Sequence, residues 1–228
     1  MTEPGAADLP GEADGVAIDH LLYGTPDLSE GIDRIERLLG VRPVPGGRHP
    51  QYGTRNALAA IGPSCYLEVM APDPSLPAPE RGVLFGLPEL SEPRLVSWVL
   101  RRKAIDEVAA AAGLGPVSAG RRERDDGTVV SWRLSDPYAD RFGGVVPFLI
   151  DWGETPHPAN SAPPAGELVR LRLEHPAPDR VRSALRVLGV DVTEAPDGRA
   201  DIDVTPGEAP RLAALIRLQE GAATVELH

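Results

Sequence analysis

The chain repeats one pattern three times, and that repetition limits its fold more than any other feature. The pattern is an apolar strand, a turn, a short amphipathic helix, a glycine, and then further strands. The first copy is VAIDHLLYGTPDLSEGIDRIERLLGVRPV, residues 16–44. Residues 16–23 read as a strand, and Asp27 with Glu30 has capping-box spacing. Leu28, Ile32, Ile35 and Leu39 recur at helical intervals, and Gly40 stops the helix. The pattern returns near the C-terminus as LVRLRLEHPAPDRVRSALRVLGVDVT and, in more degenerate form, in the middle as RLVSWVLRRKAIDEVAAAAGLGPVS.

The segments after the helices are also alike. NALAAIGPSCYLEVM reads as two apolar strands joined by a Gly-Pro-Ser turn, and TVVSWRLSDP and GGVVPFLIDW read as two more. The ending RLAALIRLQEGAATVELH reads as strand, turn, strand. Its rival is a helix, because Thr205-Pro206-Gly207-Glu208 is a capping box with proline at the first helical position. Consistency with the other copies favours strands. The expected fold is therefore α+β, built of βαβββ modules whose curved mixed sheets pair around a cleft. A disordered tail is expected at 1–15. A paired-module domain is expected at 16–158, with modules 16–72 and 93–153 and a Pro-rich connector at 73–92. A third, degenerate module is expected at 166–228.

The net charge of −11 opposes binding to a phosphate backbone or an anionic membrane, so neither nucleic acid nor membrane is an expected partner. No apolar run approaches the roughly 20 residues of a membrane helix. The lone Cys65 has no disulfide or CxxC partner, which makes a reducing cytoplasm the expected location. Nucleophile elbows, phosphate-cradling glycine loops and zinc cysteine patterns are absent from the sequence.

The segments IDHLLYGTPDL, LGVRPVPGGRHPQYGTRNALAAIG, YLEVMAP and VPFLIDWG resemble the vicinal oxygen chelate superfamily, and within it the bacterial glyoxalase-like domain proteins. The resemblance implies a divalent metal (Zn, Ni, Mn or Fe(II)) chelating two oxygens of a small substrate. It leaves lyase, isomerase, dioxygenase and metal-free drug-binding activities all open. Ligands in that superfamily come from the first and last strands of each module, which here means His20 and Glu68. Asp151 is a third candidate from the second module, with strand parity deciding whether it faces the cleft. Imidazole plus carboxylate suits such metals, but a pair farther apart than roughly 5 Å could not share one ion.

His49, in the glycine-rich GGRHPQYGTRN, is open to three roles: metal ligand, general acid or base, or closure of a loop. Arg48, Tyr52 and Asn56 belong to the same stretch and are candidates for substrate contact, as is Trp98. His157 sits in a Pro-rich linker and reads as a bystander. Two functions are consistent with these residues: a metal-dependent enzyme acting on a small oxygenated metabolite, or a metal-free protein that binds and sequesters a small molecule. A module left without a partner points to a homodimer or to packing on the second module.

Overall fold

The structure, a computed structural model, describes residues 16–123, 129–190, 192, 201–219 and 221–228; the tail expected at 1–15 lies outside them. The first module runs β1 (Ala17–Gly24), α1 (Leu28–Leu39), β2 (Val44–His49), β3 (Thr54–Ala60) and β4 (Tyr66–Pro72), with strand order β2-β3-β4-β1. Helix α1 starts and stops where its sequence says. Asp27 accepts a hydrogen bond from the Glu30 backbone N–H at 2.9 Å, and Gly40 takes the left-handed conformation (φ 74°) that closes the last turn. The helix buries Gly31, Ile35 and Leu39. Gly31 permits close packing, since a Cβ there would lie 2.7 Å from the Thr25 methyl group.

The second module repeats the plan with β5 (Arg94–Arg101), α2 (Ile105–Ala111), β6 (Ser118–Glu123), β7 (Val129–Leu134) and β8 (Phe148–Asp151), in the order β5-β8-β7-β6. In each module the first strand lies parallel to the last. Antiparallel pairing of β1 with β5 joins the two into one eight-stranded sheet, which curls until its edge strands β2 and β6 approach one another. Alternation along the strands then divides the side chains between two cores. Leu21, Tyr23, Leu67 and Val69 face out toward the helices, while Leu22, Tyr66 and Met70 face into the concave side.

The C-terminal segment is β9 (Gly166–His175), α3 (Pro178–Val187), β10 (Asp201–Pro206), β11 (Arg211–Leu218) and β12 (Thr224–Leu227). It is strand, not helix, after Pro206. Its element order repeats the other modules but its winding does not. The strand order is β10-β9-β11-β12, so β9 is flanked by its second and third strands rather than by its last. This sheet covers the outer face of the larger one, and Leu171, Leu173, Leu185, Ala214 and Ile216 enter the same core as Leu21 and Trp98. The face that an unpaired module would leave open is thus buried within the chain. Backbone bonds fasten the join: Ala165 N–H to Ala60 O at 2.8 Å, Leu168 N–H to Ile61 O at 2.8 Å, and Leu95 N–H to His228 O at 2.7 Å. Among the described residues no helix is long and apolar enough to cross a membrane.

The loop Phe142–Gly144, just before β8, meets β5 at very close range. Gly144 has φ 94°, and a Cβ there would lie 2.1 Å from the Val96 carbonyl oxygen. Gly144→Ala is expected to destabilise the fold by about 2–4 kcal/mol through strain and overlap together. Urea unfolding checks it, as a lower midpoint at unchanged slope; a midpoint equal to that of the unaltered chain contradicts the packing described.

Candidate functional site

Strand β1 carries an irregularity that makes the site. Its register against β5 passes from Ile18–Leu100 to His20–Val99 and skips Asp19, so Asp19 is the extra residue of a bulge. Successive side chains of a regular strand point to opposite faces, but the bulge lets Asp19 and His20 meet. His20 Nδ1 lies 2.6 Å from Asp19 Oδ1, and neither side chain is more than 4% exposed.

Asp19 is fully buried and gathers three polar hydrogens. Besides His20, it accepts from Trp152 Nε1–H at 3.0 Å and from His157 Nε2–H at 3.0 Å. Burial by itself would raise its pKa. The hydrogen bonds from His157 and His20, together with the pull of the ring N–H groups aimed at it, outweigh burial and hold the carboxyl ionised well below the usual carboxylate range. An ionised Asp19 can only accept, which fixes both tautomers. His157 carries its proton on Nε2, consistent with its Nδ1 accepting from the Ala159 N–H at 3.2 Å. His20 carries one on Nδ1, and its Nε2 turns to Glu68.

Glu68 stands in β4, two residues beyond Tyr66, the residue opposite His20 in the parallel register. Its Oε2 is 3.3 Å from His20 Nε2, and its Oε1 accepts a hydrogen bond from Asn56 Nδ2 of β3. At that separation a proton on either atom can be shared with the other. The Tyr66 ring stacks on the His20 imidazole at 4.5 Å.

These groups open on a small cleft of about 50 Å³ inside the curled sheet. Its other walls are largely apolar, with Phe148, Trp132 and Trp152 from the second module and Leu84 and Phe85 from the connector among them. That space is room for a few waters, so a larger occupant requires part of the lining to shift.

His20, Glu68, His49, Tyr52 and Asn56 all line this cleft. His49 is the last residue of β2 and closes the loop to β3: its Nδ1 lies 3.1 Å from Thr54 Oγ1, and its ring meets Trp132 edge-on at 6.3 Å. Burial above all pushes the Tyr52 hydroxyl up to about 12, so it serves there as a neutral donor. The other expectations fall outside. Asp151 is turned the other way, into a depression it shares with Arg133 and Thr155, and Ile150 takes the cleft-facing place. The parity of β8 decides this. Trp98 is fully buried in the outer core, where its Nε1–H donates to Val145 O at 2.9 Å. Arg48 is half exposed and pairs with Asp73 at 2.6 Å.

Proteins of the superfamily often bind divalent metals. The His20–Glu68 separation passes the distance requirement for sharing an ion, but the second module adds no donor. Val99 lies opposite Phe148 as His20 lies opposite Tyr66, and Ile150 stands where Glu68 stands. Among the described residues no three His, Cys, Asp or Glu side chains come together in a way that could hold an ion. The described side chains therefore do not fit a metal centre of three or more protein ligands.

Sequence reasoning missed Asp19 and passed over His157. An acidic residue beside a histidine inside an apolar strand was the available signal, since a buried carboxylate must have donors around it.

A family model described as a glyoxalase-like domain matches residues 18–189. No curated protein matches the chain. Among solved structures, a hypothetical protein from Staphylococcus aureus is similar over 92% of this chain and 98% of its own, with 15% identity and a TM-score of 0.65, and so shares the fold, C-terminal module included. Methylmalonyl-CoA epimerase from Mycobacterium tuberculosis is 17% identical over 65% of this chain and 95% of its own, with a TM-score of 0.41. With the family match and the paired βαβββ halves in hand, the chain belongs to the glyoxalase-like domain family of the vicinal oxygen chelate superfamily.

Proposed function

We propose that the cleft is an acid–base site that moves a proton on a small, largely apolar molecule bearing an oxygen function, as an isomerase or lyase does. The observation that carries this reading is the His20 imidazole held between two carboxylates, at 2.6 Å from Asp19 and 3.3 Å from Glu68. Asp19 fixes the tautomer and orientation of His20, so the proton that can move is the one shared by Nε2 and Glu68 Oε2. The Asn56 amide holds Glu68 in place, and Tyr52 and His49 supply polar contacts at the wall. Apolar side chains keep water scarce, which strengthens these interactions in the bound state. No step here passes through a metal.

A second reading, binding without turnover, is favoured by the second module, whose matching positions Val99, Phe148 and Ile150 carry no chemistry at all. Deuterium exchange separates the two. A panel of small ketones, 2-oxo acids and 2-hydroxy ketones is incubated with protein in D2O and followed by proton NMR. The acid–base reading expects exchange at one carbon of at least one compound, slowed by about 10²-fold or more in His20→Asn. Ligand binding by NMR with no exchange in any compound favours the binder. Exchange that needs an added divalent ion replaces this reading with a metal-dependent one.

Asp19→Asn tests the positioning carboxylate. Removing a buried charge that accepts three hydrogen bonds is expected to cost about 3–5 kcal/mol at pH 7. The sign in pH follows from the lowered pKa: the stabilisation is whole above the unfolded-state carboxylate value of about 4 and is lost as pH falls below it. The stability gap between the unaltered chain and Asp19→Asn, read by urea unfolding, is thus expected to narrow from pH 7 to pH 3. A gap that widens there contradicts an ionised Asp19.

A further inference from the structure

A groove of about 700 Å³ lies where the start of β5 meets the C-terminal module, and Arg94, Arg141, Arg172 and Arg211 all line it. In a chain of net charge −11, four arginines gathered in one place stand out. Glu92 and Glu174 are the acidic side chains on its walls, which leaves arginine in excess. Arg172 is engaged by Glu226 at 3.4 Å, a half-exposed pair that binds it weakly.

Arg141 is different in kind, being only 5% exposed. Its guanidinium donates to Ser97 Oγ at 2.6 Å, to Pro137 O at 2.9 Å and to Val146 O at 3.3 Å, none of them charged. Its Nε has no acceptor. Burial lowers its pKa to about 10, against the potential of Asp136 and Asp140, so it stays a cation at neutral pH. A buried cation whose hydrogen-bond partners are all neutral is costly, and an arriving anion relieves that cost.

The backbone around it is strained to hold this arrangement. Phe142 (φ 55°) and Phe85 (φ 59°) are two of the three non-glycine residues in the left-handed region among those described. Phe85 belongs to both the groove and the cleft, and the Arg141 guanidinium lies 5.5 Å from its ring and 5.0 Å from that of Phe148. The phenyl rings thus separate the cation from the His20 site.

We propose that this groove is an oxyanion-binding site, with Arg141 at its floor and Arg94, Arg172 and Arg211 at its rim, taking a carboxylate or a phosphate group. Resting on the acid–base reading, that group is the acidic end of the molecule whose reacting part lies beyond Phe85 in the cleft. Planar guanidinium forks match both anions, and Phe85 is a wall that the two sites share.

Calorimetric titration with inorganic phosphate and with butyrate, at constant ionic strength, tests the site without requiring turnover. Three proteins are compared: the unaltered chain, the rim variant Arg94→Gln/Arg211→Gln, and His20→Asn. One saturable site is expected for at least one anion, weakened by about tenfold in the rim variant and unchanged in His20→Asn. Arg141→Lys, if it folds by circular dichroism, is expected to weaken binding further by losing the fork. Saturation by phosphate alone identifies a phosphate end, and by butyrate alone a carboxylate end. No saturable binding of either anion overturns the proposal. So does equal affinity in the rim variant, or loss confined to His20→Asn, which would place the anion in the cleft. Failure here leaves the deuterium-exchange result standing, and failure there leaves the binding result standing.

Discussion

A carboxylate with no exposure to water sits at the centre of this protein, and the geometry of the cleft depends on its remaining ionised. Removing Asp19 from solvent costs several kcal/mol. Three donors, His20 Nδ1–H, Trp152 Nε1–H and His157 Nε2–H, offset that cost, each charge-assisted bond contributing about 1.5–3 kcal/mol. The donors come from both modules and from the linker after them. One side chain therefore ties together β1, the end of β8 and the passage to the C-terminal module, and it sets which nitrogen of His20 faces Glu68. Stability and chemistry share the same hydrogen bonds.

The two halves of the curled sheet have divided their work. Their strand orders and parallel first-to-last pairings agree. The first half nonetheless presents His20, Tyr66 and Glu68 where the second presents Val99, Phe148 and Ile150. One half carries the polar groups and the other supplies a dry wall. Such an asymmetric cleft suits the reactive, oxygen-bearing part of a ligand on one side and apolar surface on the other. The C-terminal module acts from the opposite side. It covers the outer face of the sheet and, where β11 meets β5, forms the arginine groove with Arg141 beneath it.

Much of this was legible in the sequence, for reasons that can be named. Periodicity and caps located α1 to within its capping residues, because Asp27 and Gly40 act locally. The pairing of modules and the strands after Pro206 came from repetition, while His20 and Glu68 were singled out by the family resemblance. Three things did not. Bulges are settled by the partner strand, so nothing local announced that Asp19 would leave the ladder and turn to His20. The parity of β8 rests on register, and one residue separates cleft-facing Ile150 from Asp151. Long-range partners gave His157 its place, although its own surroundings in sequence read as linker. The winding of the C-terminal sheet was hidden as well, since an identical order of elements can be laid down in more than one strand order.

The central claim is that an ionised Asp19 dictates the protonation of both histidines beside it. Long-range proton–nitrogen correlation NMR on protein labelled with 15N-histidine reads this directly at neutral pH. The account predicts His157 neutral with its proton on Nε2, and His20 protonated at Nδ1, with the Nε2 signal of His20 moving when Glu68 is replaced by Gln. A His157 protonated on Nδ1, or a His20 protonated on Nε2 alone, would contradict it.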